Sequence, residues 1–539
     1  MSLQLRGPGA VHAPRRVPVV TAADARDLDA RTIATLPDSY TLMHRAASVA
    51  AAWLEQRDER CAAVYVGPGN NGGDGWLIAG LLRDDLGWRI TLHSAGDPRT
   101  PDARRARGDA QVAGPFAAPS GSEPLILDAL LGTGAAGAPR GEVAAALEMI
   151  RAARAADSAP LLVAIDIPTA LNATTGEDHG ALAADVTLTF GSIKRGQLLR
   201  RDLTGEVHAL DIGLVDAPPA APRIVDAATV AAWIPPLAID AYKGTRGRLA
   251  IVGGERGMAG AVILAARGAH ASGAGMVRAD VASESLLALQ IAVPFATAHA
   301  WDATDWSGID TRWPRAMVIG PGLDGSAHLQ RARILALLHA FGGPVVLDAG
   351  ALTAFRWRAE SDIDEIDVAD GTEADPLDAL RHALRGRPAV LTPHIGEFER
   401  LFAPGTAPRD RFDAPAVLAR RLGATVLLKG VPTVIASPDG TTLISAAGNP
   451  ALAMGGSGDL LSGIAGALLA QGMAPLHAGA AAAWVHGTAA DLATTAHGSW
   501  RGVTMELLLH EVSTVWPRLF AHTSLPPSTV LELPAVPAR

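Results

Sequence analysis

"CAAVYVGPGNNGGDGWLIAGLLRDDLG", Cys61 to Gly87, runs as an apolar strand, a glycine-rich loop and an amphipathic helix. That succession opens a βαβ unit, the building block of a parallel sheet with both faces covered. Glycines let the loop backbone adopt positive φ and approach a ligand closely. The helix start beyond it offers free N–H groups to a phosphate. The spacing is neither the dinucleotide fingerprint nor a Walker loop, which would need Gly-Lys-Ser/Thr. Instead Asn70 and Asn71 place uncharged amide oxygens in the loop, and Asp74 adds a carboxylate. Such a set suits a weakly held cation or a sugar hydroxyl, and not zinc.

The same alternation extends in both directions. "LILDAL", "LLVAID" and "VTLTF" read as further strands, with Asp128 and Asp166 at or near their carboxyl ends. In open α/β sheets ligands bind outside those ends, so three loops are expected to converge on one crevice. The pattern restarts after the Pro/Ala-rich "VDAPPAAPRIVDAATVAAWIPPLAID". "RLAIVGG", "AMVIGPG", "PVVLDAG", "AVLTPH", "ATVLLKG" and "TTLISAAG" then supply a second set of strands. The reading is an α/β chain of two domains, residues 17–220 and 221–524. A leader, 1–16, precedes them and a frayed Pro-rich tail, 525–539, follows. The acidic stretch from Glu360 to Asp378 reads as a surface loop.

The chain of 539 residues exceeds one ordinary core. Its 49% hydrophobic and 19% charged composition suits a compact enzyme. A net charge of −9 with scattered Lys and Arg argues against nucleic acid or an anionic membrane surface as partner. The longest apolar run, Leu460 to Ala470, falls short of the ~20 residues of a membrane span. The N-terminus has arginines but no apolar core of a secretory signal. One cysteine, Cys61, allows neither an internal disulfide nor a multi-thiolate metal site. A reducing, cytoplasmic setting fits these facts.

The second half carries its own chemistry-bearing stretch, "GNPALAMGGSGDLLSGIAGALLAQG" from Gly448. A "GGSGD" turn opening a helix gathers backbone N–H groups around developing negative charge. Asp459 at the helix start could deprotonate a hydroxyl that attacks a phosphoryl group. "VIGPGL" with Gly322, "LTPHIGEFERLF" with His394 and Glu397, and "VLLKGVPTVI" with Lys429 lie at comparable strand ends. His394 beside a glycine-containing turn reads as substrate-facing, and Lys429 as a nucleotide phosphate clamp.

"GPGNNGGDG", "DALLGTG", "DIPTALNATTG" and "ADVTLTFGSIKRG", in this order, resemble the NAD(P)H-hydrate epimerase family over roughly Val17 to Val215. The resemblance implies a Rossmann-like, three-layer α/β/α domain that interconverts the C6 epimers of hydrated NADH and NADPH. It implies a potassium ion on Asn71, Asp128 and Thr169. It implies that Asn70, Asn71, Gly72, Gly73 and Asp74, with Gly132, Thr133, Gly134, Ala135, Ala136, Gly137 and Ala138, hold the dinucleotide. Asp166 is then the acid–base group. Where this family usually reads Asp-Ile-Pro-Ser-Gly, the chain has Thr169 and Ala170.

From about Asp226 to Phe520 the chain resembles the ADP- or ATP-dependent NAD(P)H-hydrate dehydratases, of ribokinase-like fold. That implies phosphorylation of the C6 hydroxyl and loss of phosphate, with Asp459 as base. Ala261, Gly322 and His394 would touch the hydrated dinucleotide. Lys429, Gly430, Val431, Pro432, Thr433 and Gly458 would bind the nucleotide, with Mg2+ on its phosphates. The fusion implies ADP as donor, and relatives of this kind self-associate, so a homo-oligomer is expected. Gly350 stands where a second Asp is usual, and Tyr242 where His is usual. Two other readings stay open: a ribokinase-like small-molecule kinase, and a dehydratase with a non-catalytic N-terminal half.

Overall fold

The computed structural model describes residues 17–156, 159–301, 306–324, 327–359, 375–521 and 529–533. The expected leader, 1–16, and residues 360–374 of the acidic stretch lie outside them. The end of that stretch is not loop: Asp375 caps a helix, Pro376–Leu384. Two compact units emerge, one up to Arg223 together with the chain's last segment, the other from Ile224 onward.

The first unit is built on β2 (Cys61–Val66), β3 (Arg89–Ser94), β4 (Leu125–Ala129), β5 (Leu161–Ile165), β6 (Val186–Phe190) and β8 (Glu206–Leu210). A separate two-stranded ribbon pairs β1 (Val19–Val20) with β7 (Ile193–Lys194). Side chains of β2 alternate between two cores, as a two-residue period demands. Ala62, Val64 and Val66 join the helices Ser39–Glu55 and Asn70–Gly80, while Ala63 and Tyr65 join the helix Gly141–Arg154. Hence helix, sheet and helix form three layers. The second unit follows the same rule. Leu249 and Ile251 of β10 (Arg248–Gly253) face one core, and Ala250 and Val252 the other.

Strand order places the sites. In the first sheet the order is β8-β6-β5-β4-β2-β3, so the chain steps outward from β2 to β3 and returns to β4 on the other side of β2. The second unit adds β11 (Met276–Ala282), β12 (Thr297–Trp301), β13 (Ala316–Ile319), β14 (Val345–Leu347), β15 (Ala389–Leu391) and β16 (Thr425–Leu428). Its order β12-β11-β10-β13-β14-β15-β16 reverses between β10 and β13, and antiparallel β17 (Thr433–Ala436) and β18 (Thr442–Ser445), then the two-residue β9 (Arg223–Ile224), continue it. Such reversal points open a crevice at the carboxyl ends of the strands. The segment read as a frayed tail corrects that expectation in part. Thr529–Leu533 forms β19, antiparallel to β8 at the edge of the first sheet, because β8 leaves an unpaired edge that a returning strand can satisfy.

Several glycines are there for close packing. On the helix Ser457–Ala470, a Cβ at Gly463 would lie 2.0 Å from the carbonyl oxygen of Ala265 on the helix Ala259–Ala271. Gly463→Ala is therefore expected to destabilise the second unit by about 1–3 kcal/mol, the range of overpacked cores. Urea unfolding of the full chain would read this as an earlier transition for that unit alone.

Candidate active sites

In the first unit the helix begins earlier than the loop reading allows, at Asn70, with Gly69 as its N-cap. Two glycines of this stretch, Gly67 and Gly72, serve contact between backbones. A Cβ at Gly72 would lie 1.8 Å from the Gly67 carbonyl oxygen, and one at Gly67 would lie 1.8 Å from that of Leu130. This packing buries Asn71, whose amide oxygen and nitrogen both lack a partner among the described residues. Gly132 abuts it, because a Cβ there would stand 3.2 Å from the Asn71 Cγ. The two-loop junction continues to Asp128 and Thr169. Thr169 donates from Oγ1 to Asp128 Oδ1 at 2.7 Å and from its backbone N–H to Oδ2 at 2.9 Å. Leu131 N–H donates to Thr169 Oγ1 at 3.1 Å. Burial raises the Asp128 pKa, against the pull of these hydrogen bonds. The rest of the loop, Thr133 to Ala138, is partly or fully exposed, and Gly137 takes φ +77°.

Asp166 sits just past β5 with φ +67°, a left-handed conformation rarely adopted by residues other than glycine and asparagine. Its backbone is fixed from both sides: its N–H donates to Leu188 O at 2.7 Å, and its carbonyl accepts from Gln197 Nε2 at 2.8 Å. The Asp166 carboxylate accepts from the buried Lys194 Nζ at 2.5 Å. Lys194 also donates to Thr189 Oγ1 at 2.8 Å and to Ser192 O at 3.3 Å. An ammonium has three N–H bonds, so those of Lys194 are all engaged and its role is to position Asp166. Two further carboxyls face this pair. Burial raises Asp29 to about 6, Lys194 opposes the rise and Asp166 adds to it. Burial, then the charges of Asp166 and Asp29, raise Asp74 well above the carboxylate range. Asp74 keeps part of its residue surface in solvent, so it is the carboxyl end that is enclosed.

Ala170, at the position where the resemblance expects glycine, holds φ +75°. The turn a glycine would make is thus kept, at a cost of about 1–2 kcal/mol for an L-residue in this region. Thr169 keeps its hydroxyl on Asp128 through that turn.

In the second unit the strand ends meet through glycine. A Cβ at Gly253 would lie 1.9 Å from Pro321 O, and one at Gly320 would lie 1.7 Å from Asp348 O. Gly322, at φ +64°, approaches Ala261, the two residues read as touching one ligand; a Cβ on Gly322 would lie 3.1 Å from the Ala261 Cβ. Asp348, buried just beyond β14, accepts from Lys429 Nζ at 2.9 Å, and Glu397 Oε2 lies 3.7 Å from the same nitrogen. Burial lowers the Lys429 pKa, but these carboxylates outweigh it and raise it overall. Lys429 also lies over the start of the helix Ser457–Ala470, 3.3 Å from where a Gly458 Cβ would be. Asp459, in the first turn, is half-buried. Burial, then the Asp348 charge, raises it to about 7, with Lys429 opposing. A Cβ at Gly350 would lie 2.4 Å from Leu323 O, so the backbone here leaves no room for the second Asp usual at this position.

His394 caps its short helix. Its Nδ1 accepts from the N–H groups of Gly396 and Glu397, and its side chain is 52% exposed, open to a ligand. The loop Lys429 to Thr433 is braced by Arg411, which donates to Lys429 O at 3.2 Å and Pro432 O at 3.3 Å, while Thr433 Oγ1 donates to Gly430 O at 2.9 Å. Val431 is exposed. Tyr242 is exposed as well.

Sequence reading left several members without a role. Lys194 stands in "GSIKRG" and Asp348 in "LDAG", both quoted stretches, yet neither partner is near in sequence. Asp29 lies on the first helix, Ala22–Ile33. His486 is one of three histidines in an alanine-rich helix, Pro475–His497, and nothing in the sequence sets it apart from the other two. Burial, with the Lys429 charge, holds it near 4, so it is neutral, and its Nε2 has no partner among the described residues.

Residues 249–513 match the family described as NAD(P)H-hydrate dehydratase, and residues 39–196 match the YjeF-related protein N-terminus. The bifunctional NAD(P)H-hydrate repair enzyme Nnr of Escherichia coli is 34% identical over 479 residues, covering 85% of this chain and 86% of that protein. The enzyme of the same name from Salinibacter ruber is 34% identical over 540 residues, covering 91% and 95%. A crystal structure of the ADP/ATP-dependent NAD(P)H-hydrate dehydratase of Bacillus subtilis aligns at 30% identity, covering 55% of this chain and 97% of that one, with a TM-score of 0.46. Two matched domains in one chain, and relatives that share nearly its whole length, lead to one assignment: the chain belongs to the bifunctional NAD(P)H-hydrate repair enzymes.

Proposed function

We propose that the two clusters divide one repair task. The first unit epimerises C6 of hydrated NADH and NADPH, and the second dehydrates the S form with ADP, releasing AMP and phosphate. The observation that carries the second assignment is Asp459. It is a half-buried carboxyl with a pKa of about 7, in the first turn of a long helix and beside a lysine. Asp459 takes the proton from the C6 hydroxyl as that oxygen attacks the β-phosphorus of ADP, and AMP leaves. Lys429 and the N–H groups around Gly458 carry the charge that develops on the transferred group. The C6–O bond then breaks with phosphate as leaving group, C5 loses a proton, and the nicotinamide ring regains its double bond. Ala261, Gly322 and His394 hold the dinucleotide, and Lys429 to Thr433 hold ADP, whose phosphates bring Mg2+.

In the first unit Asp166 is the acid–base group, and Lys194 fixes it with one carboxylate oxygen left for the substrate. Asn70 to Asp74 and Gly132 to Ala138 hold the dinucleotide. Asn71, Asp128 and Thr169 suit a potassium ion. The donors are oxygens, and the Asn71 amide is buried without a partner, as an absent ligand would leave it. Such an ion would offset the buried Asp128 charge and tie the two dinucleotide loops together. The turn kept by Ala170 favours a working epimerase over a degenerate one.

The test is recovery of nicotinamide absorbance from mixed-epimer NADH hydrate with ADP and magnesium. Both epimers are expected to convert. Asp459→Asn should lower dehydration by 100-fold or more, the scale of a lost general base. Wild-type dehydration should rise with pH through about 7, since Asp459 must be ionised to accept a proton. Asp166→Asn and Lys194→Met should each leave S-epimer conversion intact and stall the R epimer. For potassium, KCl should raise the thermal midpoint of the wild type above that in NaCl, and Asn71→Ala should abolish the difference. Unchanged conversion by Asp459→Asn would refute the dehydratase assignment.

A further inference from the structure

Beyond His394 the second unit has a cleft of about 880 Å3, within the range of small-molecule sites. Arg356, Arg400, Arg409 and Arg411 line it, against Glu399 as the one acidic residue in the lining. Arg411 is engaged with the carbonyls of Lys429 and Pro432. Arg356, Arg400 and Arg409 have no carboxylate partner among the described residues, and all are exposed. Four cations gathered in one concavity against a single carboxylate repel one another, and an anion with several oxygens relieves that repulsion. Guanidinium groups bind phosphate through paired N–H bonds, which suits this lining to phosphate esters. Trp357 and Ile395, 39% and 42% exposed, line the same cleft and offer an apolar wall to a base.

Position narrows the occupant. Ile395 and Gly396 line the cleft, and they directly follow His394 in the chain. Arg411 joins it to the Lys429–Pro432 loop. A long anionic molecule whose reacting ring lies at Asp459 could therefore extend past His394 into it. We infer that this cleft binds the phosphorylated adenosine end of the hydrated dinucleotide, with the arginines on its phosphates, the 2′-phosphate of the NADPH form among them, and Trp357 against the base. This rests on the dehydratase reading of the same unit.

Two probes that need no turnover test it on the full chain: adenosine 2′,5′-bisphosphate and 5′-AMP, titrated calorimetrically at low salt. The bisphosphate should bind at least 10-fold more tightly, and Arg400→Ala with Arg409→Ala should remove that preference, since charge-assisted bonds to phosphate carry effects of this size. Trp357→Leu should weaken both probes alike. In turnover the arginine double variant should raise KM for NADPH hydrate more than for NADH hydrate, with kcat unchanged. Equal binding of the two probes, no binding of either, or a double variant indistinguishable from wild type would overturn the inference. So would displacement of the bisphosphate by ADP together with a raised KM for ADP, which would give the cleft to the phosphoryl donor. Because the titration needs no catalysis, a chain that fails to convert hydrated cofactor would sink the functional reading while leaving the binding result legible.

Discussion

A lysine that can fully satisfy one carboxylate, but not three, stands at the centre of the cluster in each unit. Lys194 is bonded to Asp166, with Asp29 and Asp74 close enough to feel both charges. Lys429 is bonded to Asp348, with Glu397 at 3.7 Å and Asp459 within its field. In each cluster burial penalises every charged form, and one ammonium offsets only part of that penalty. The outcome differs in a useful way. In the first unit the lysine's own partner is Asp166, the group proposed for acid–base work, so that group is held by the ion pair. In the second the partner is Asp348, deep under the strand ends, and the carboxyl left over, Asp459, is the one with the shifted pKa. A carboxyl titrating near 7, the property the proposed base requires, arises there from burial and from being third in line for one positive charge.

That arrangement depends on close approach of backbones at the strand ends. In the second unit Gly253 and Gly320, and in the first Gly67 and Gly72, let neighbouring segments pass within distances that no Cβ permits, and Gly320 does so against the carbonyl of Asp348 itself. Gly67 and Gly72 were legible as part of a ligand cradle, and that was half of their meaning. The "GPGNNGGDG" stretch reads as a loop shaped for a phosphate, but the structure begins a helix at Asn70 and uses Gly67 and Gly72 against other backbone. The burial of Asn71 follows from that packing. Its orphaned amide, the feature that most suits a cation, is therefore produced by glycines that need touch no ligand.

The fold was legible because parallel sheets announce themselves through short apolar strands followed by Gly or Asp. The carboxylates at strand ends, Asp128 and Asp166, were legible for the same reason. What could not be read was pairing. Lys194 follows a polar turn and looks like a solvated charge, and only the fold brings it to a carboxylate 28 positions earlier. Asp348 and Lys429 are 81 positions apart. Asp29 was out of reach because the first helix gives no sign of which sheet end it faces. The strand Thr529–Leu533 was missed because proline-rich flanks outweighed "TVLEL", a short alternating run whose partner edge lies more than 300 positions away.

The substitution of alanine for glycine at position 170 shows what the first site must preserve. A non-glycine residue at φ +75° is a persistent local strain, and the easiest relief would be to let the turn relax. It has not relaxed. Thr169, one residue earlier, still places both its N–H and its hydroxyl on Asp128, and Leu131 N–H still reaches the same hydroxyl. Three hydrogen bonds to and from one threonine, two of them buried, are together worth more than the penalty of one left-handed alanine. The geometry around Asp128 thus dictates the backbone at Ala170, and the residue type follows only as far as the local strain allows. The same priority is visible at Asp166, whose left-handed backbone is fixed by Leu188 and Gln197 before its side chain meets Lys194. In this unit the turns are set by where the carboxylates must point.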